Sequence, residues 1–105
     1  MEVQEEKYLF NNKIYNITKS EKLYEYIEKK DTGMKLFGNY NLLRDVVVSV
    51  YKSKNDNLFV TEASIGRISC KDVSKKDFLS TLLTRGEIDL IKKIYPSEYI
   101  KLKEV

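Results

Sequence analysis

At 105 residues, with 42% hydrophobic and 33% charged side chains, the chain has the composition of a folded domain and not of a disordered segment. Its formal charge of +3 comes from 16 Lys and 3 Arg against 16 acids, which excludes a strongly acidic nucleic-acid mimic. Histidine is absent and Cys70 is the single cysteine, which excludes a Ser-His-Asp or Cys-His nucleophile, a structural zinc site and an internal disulfide.

No apolar stretch approaches the roughly 20 residues of a bilayer span. The acidic start, Met1 to Glu6, has no apolar core of a secretory signal. The expectation is a soluble protein of the cytoplasm of a bacterial host cell, with no membrane contact.

In chain order, Tyr8–Phe10 and Ile14–Ile17 flank Asn11-Asn12, and Asn tolerates the positive φ of a tight hairpin turn. Thr18 and Glu21 have the spacing of a capping box, which predicts a helix ending near Lys30 with Leu23, Tyr26 and Ile27 on one face. Residues 31–44 read as an irregular connection whose Met34, Leu36, Phe37, Tyr40, Leu42 and Leu43 cover an edge of the core. Asp45–Lys52 is a strand, Val46, Val48 and Val50 facing one way and Val47, Ser49 and Tyr51 the other. β-branched residues on both faces place it centrally. Ser53–Asp56 turns the chain into Asn57–Ala63, and Arg67–Asp72 adds a strand with Ile68 and Cys70 inward.

Ser74 and Asp77 mark a helix start, and Phe78, Leu79, Leu82 and Leu83 form its apolar stripe. Gly86 closes it at C′. Glu87–Tyr95 repeats the pattern until Pro96, and Tyr99–Lys103 alternates as a late strand or a frayed end. No repeat or linker divides the chain. The expectation is one α+β domain over 1–105, a small antiparallel sheet of about four or five strands packed against two or three helices.

Cys70 reads as a small buried hydrophobe. Glu25/Glu28 and Asp72/Asp77 read as solvated carboxylates, and no glycine-rich phosphate loop occurs. The chain is therefore expected not to be an enzyme, and no catalytic residue, metal or cofactor is assigned. Two features suggest binding. Arg67, Lys71, Lys75 and Lys76, with Lys52 and Lys54 from the preceding hairpin, concentrate positive charge, and Tyr51 and Phe59 lie alongside. These eight residues form the candidate partner-binding surface, able to contact an RNA or DNA backbone by charge and stacking. The alternative is that the lysines keep a sheet edge soluble. Eight tyrosines either form a protein-docking face or rim the core with their hydroxyls wet.

The stretch Lys7-Tyr-Leu-Phe-Asn-Asn-Lys-Ile-Tyr-Asn-Ile-Thr-Lys-Ser-Glu21 resembles the opening of a group of small proteins of Gram-positive mobile elements. In those proteins a short helix follows. Val50-Tyr-Lys-Ser-Lys-Asn-Asp-Asn-Leu-Phe-Val60 is similar to a later hairpin of the group, with Asn55-Asp-Asn57 where a Gly is usual and its Gly-rich stretch reduced to Ile65-Gly66. Val73-Ser-Lys-Lys-Asp-Phe-Leu79 is similar to its entry into a helix. Some members are anti-CRISPR inhibitors of phages and plasmids. The resemblance implies a non-enzymatic anti-defence inhibitor that binds a CRISPR effector protein or its guide ribonucleoprotein. The alternative is a small nucleic-acid-binding accessory protein using the Lys-rich sheet edge. A third expectation is a phage assembly protein, recognisable as a symmetric oligomer.

Overall fold

The computed structural model describes residues 4–36 and 40–105, and side chains outside 32–42. The chain forms two compact units, 1–72 and 73–105. The fold class is α+β: a two-stranded sheet, a four-stranded antiparallel sheet and three short helices.

In the first unit, β1 (Lys7–Phe10) and β2 (Lys13–Asn16) form the expected hairpin. Asn11 and Asn12 both hold positive φ, 52° and 63°, as a type I′ turn demands. The larger sheet is a meander in the order β3 (Glu21–Leu36), β4 (Tyr40–Lys52), β5 (Leu58–Ser64) and β6 (Arg67–Asp72). β4 is an inner strand, as its β-branched residues imply. Ser53 builds the β4–β5 turn: its N–H donates to the Asn57 carbonyl (2.8 Å), and its Oγ accepts from the Asn57 N–H (3.2 Å).

The expected helix over 18–30 is strand β3. Its register with β4 runs from Glu21↔Lys52 to Asp31↔Leu43, with one irregularity between Lys22 and Tyr24. A helix cap contributes about 1 kcal/mol. That is less than the row of cross-strand bonds and side-chain pairs that β4 offers. Tyr24 and Tyr26 also share one face with rings 5.6 Å apart, an i, i+2 arrangement that a strand provides and a helix does not. Thr18 does not cap a helix; its Oγ1 accepts the Glu6 N–H at 2.7 Å and ties the base of the hairpin.

The connection expected over 31–44 is also mostly strand. From Tyr40 to Val46, β4 pairs with β3 alone, and β5 joins at Val47, so the two long strands continue past the sheet as a ribbon. The core-covering role expected of Met34, Leu36, Phe37, Tyr40 and Leu42 lies outside the described side chains. Leu43, described, is 54% exposed and does not cover a core.

Register assigns the two faces of the sheet. Tyr51, Phe59 and Cys70 share one, where Tyr15 joins them in a buried cluster flanked by Tyr8, Phe10 and Ile17. The small hairpin thus supplies half of this core. Val46, Val48, Val50 and Val60 are buried on the opposite face.

In the second unit, α1 (Lys75–Thr84) begins at Ser74, whose Oγ accepts the Asp77 N–H at 3.1 Å. It ends as expected: Gly86, at φ 70°, donates to Leu83 O, and Glu87 N–H donates to Leu82 O, the paired bonds of a Schellman motif. α2 (Ile88–Ile94) follows, and Pro96 both stops it and opens α3 (Pro96–Ile100). Proline suits a first helical turn because its missing N–H has no partner there anyway. The alternation at Tyr99–Lys103 is no strand: Tyr99 and Ile100 are helical. Phe78, Leu82 and Ile91 are fully buried, whereas Leu83, counted in the apolar stripe, is 46% exposed.

Candidate interaction surface

The structure distributes the eight proposed contact residues unequally. Tyr51 and Phe59 are interior, 8% and 3% exposed, stacked on each other with centroids 5.3 Å apart. Tyr15 packs against Phe59 at 5.1 Å. A ring enclosed on both sides has no face for a base, so the stacking role assigned to Tyr51 and Phe59 is corrected to a core role. Both lie in alternating strand runs, and alternation alone does not say which face the hairpin covers.

Lys52, at the end of β4, is 3.8 Å from Asp56. Lys71, on edge strand β6, is 3.3 Å from Glu62, which also receives Lys30 from β3 at 3.0 Å. Burial works against ionisation of Glu62, but the two ammonium groups outweigh it and hold the carboxyl below its usual range. Lys75 faces Glu98 at 3.8 Å and lies over the Tyr95 ring at 5.1 Å. Lys54, Arg67 and Lys76 have no ion pair among the described residues. Lys75 and Lys76 stand on α1 of the second unit and the other six in the first. Arg67 and Lys71 lie on the same face of β6, four residues apart.

Seven of the eight tyrosines have described side chains, and none is exposed. Tyr15 and Tyr51 fill the interior; Tyr8, Tyr24, Tyr26, Tyr95 and Tyr99 are half-buried. Neither reading of tyrosine describes Tyr15 and Tyr51, which are interior; the other five have the partial burial expected of residues that rim a core.

Sequence reasoning missed two features. The first is a polar closure at Asp72. Its carboxylate accepts the Tyr15 hydroxyl at 2.9 Å and the Lys13 ammonium, tying β2 to the end of β6. Lys13 first and Tyr15 second hold the Asp72 carboxyl below its usual range. Burial, followed by the bond to Asp72, raises the Tyr15 phenol. Tyr and Asp lie 57 residues apart, and no local pattern links them.

The second is an uncovered half of the face on which the hairpin sits. Val47, Ala63 and Ile68 line an open depression of about 440 Å³ with Ile65 and Gly66, and Asp45, Ser64 and Arg67 also line it. Ile27, on the same face beside Val47, is 59% exposed, and Ile65 is 91% exposed. Ile65 and Gly66 both carry positive φ, so the turn presents the Ile side chain outward. The exposed Ile65 lies within a run otherwise readable as turn, which hid it.

Cys70 is buried and its thiol is raised by burial, which leaves it a poor nucleophile. Among the described residues no group of His, Cys, Asp and Glu could hold a metal ion. No described helix is long and apolar enough to cross a membrane. No family model, curated protein or solved structure matches the chain.

Proposed function

We propose that this chain acts without catalysis, by binding a protein, as an anti-defence inhibitor of a CRISPR effector. The observation that carries protein over nucleic acid is the contrast between two surfaces. Three of the six cations on the candidate surface face acids of their own chain and both aromatic rings are interior. The depression around Val47, Ala63, Ile65 and Ile68 is mainly apolar, with Asp45 and Arg67 among the residues that line it. An apolar centre with a charged rim is the make-up of a protein interface. The choice of target rests on the sequence resemblance of the hairpin, the β4–β5 turn and the entry to α1; the helix that the resemblance places after Thr18 is a strand here.

The test is a titration of the protein against a purified CRISPR effector, with and without guide RNA, at low and high salt. Binding that changes little with salt and weakens at least tenfold on Ile65→Lys supports the reading. Absence of binding in every form, together with absence of phage protection, refutes it. Binding to free RNA that falls steeply with salt would instead favour the nucleic-acid accessory protein, with Lys54 and Arg67 of the first unit among its contacts.

A further inference from the structure

The outer edge of β3 complements itself. β3 bonds to β4 on one side and to no described strand on the other. Such an edge offers a row of N–H and C=O groups to any chain that matches it. Two copies meeting edge to edge in antiparallel fashion are related by a twofold axis normal to the sheet, which keeps every side chain on its own face. The axis must therefore pass through a residue.

Passing it through Ile27 sets Ile27 on Ile27, Tyr26 opposite Glu28, Glu25 opposite Lys29, and Tyr24 opposite Lys30. The irregularity between Lys22 and Tyr24 takes Leu23 out of the ladder, so Lys22 comes opposite Asp31. Lys22, Glu25, Ile27, Lys29 and Asp31 all share one face, because their β4 partners are Tyr51, Ser49, Val47, Asp45 and Leu43. On that face every ionic pairing joins opposite signs, each twice by symmetry, around an isoleucine that is 59% exposed in the monomer.

Neighbouring axes fail. An axis through Tyr26 sets Lys22 on Lys29. One through Glu28 sets Glu28 on itself and Glu25 on Asp31, and axes through Glu25 or Lys29 set like charges on each other. Like charges directly opposite destabilise a strand pair. Lys22, Lys29 and Lys30 already have intrachain partners in Glu25, Asp45 and Glu62. What selects the register is the order of signs along the edge, not unsatisfied charge.

We propose that two copies of this chain dimerise through the outer edges of β3 in the Ile27-centred register, making one continuous sheet.

Sedimentation velocity of the full chain, from low micromolar to several hundred micromolar, should show a monomer passing to a dimer. Glu25→Lys and Lys29→Glu each place like charges opposite each other twice and should weaken the dimer at least tenfold. An equimolar mixture of the two restores opposite signs at both contacts and should dimerise. Circular dichroism checks that each variant is folded; should Glu25→Lys unfold, Lys22→Glu mixed with Asp31→Lys poses the same question. A wild type that stays monomeric overturns the proposal. So does a Lys29→Glu variant that dimerises as tightly as wild type, or a mixture of folded variants that stays monomeric.

Discussion

Asp72 shows how one side chain at the end of a strand can hold two sheets together. Its carboxylate meets Tyr15 and Lys13, both from the small hairpin. Tyr15→Phe keeps the buried ring and removes only the hydroxyl. It should cost about 1 kcal/mol in urea-induced unfolding, the ordinary net worth of one hydrogen bond. Sequence reasoning assigned Asp72 to solvent, and its exposure fits that, yet its partners came from the other end of the unit and were invisible to any local pattern. Cys70 was legible, since a free cysteine in an alternating run is usually a core residue. Tyr51 and Phe59 are legible as strand residues, but alternation gives two faces without saying which one a distant hairpin will cover.

Among the elements, those with strong local chemistry were readable. The Asn-Asn turn, the valine-rich β4, the Ser74 cap and the Gly86 stop each carry a residue type that few other conformations favour. Gly86 stands at φ 70° with no atom within 4 Å of an added Cβ, so Gly86→Ala meets backbone strain alone. The expected loss is about 1 kcal/mol, read as a fall in the thermal midpoint. β3 was not readable, because Leu23, Tyr26 and Ile27 satisfy a helical spacing while Tyr24 and Tyr26 satisfy a strand. The decision belonged to β4, whose outer side needed a partner. The same cause hid the ribbon: Asp31-Thr-Gly33 has turn chemistry, and only pairing with Tyr40–Val46 extends the strand through it to Leu36.

For the whole molecule, the titrating groups set a pH profile with a level centre. Histidine is absent, so no side chain titrates near neutrality at its ordinary value. Lys7 first, then Lys19, hold the Glu5 carboxyl down to about 2. Glu25, Glu62 and Asp72 are also lowered, Glu25 chiefly by Lys22. A carboxyl lowered by folding stabilises fully above its unfolded value of about 4, and that contribution disappears as pH falls through the folded value. Lys13, Lys22 and Lys30 are raised, each by its carboxylate partner, so their contributions hold below about 10.4 and disappear at higher pH. Unfolding free energy measured by urea titration should thus be nearly constant from about pH 5 to 8 and decline on both sides. A maximum confined to neutral pH would contradict this assignment of charges.

The joining of β2 to the far end of β6 has a kinetic meaning. Strands β3 to β6 each bond to a sequence neighbour, so they can zip in succession with short loops to close. The link from Tyr15 to Asp72 spans 57 residues, and its larger loop-closure cost should make it form after that zipping. Its loss in Tyr15→Phe should therefore hasten unfolding while leaving the refolding rate almost untouched, the behaviour of a clasp shut after the transition state has passed.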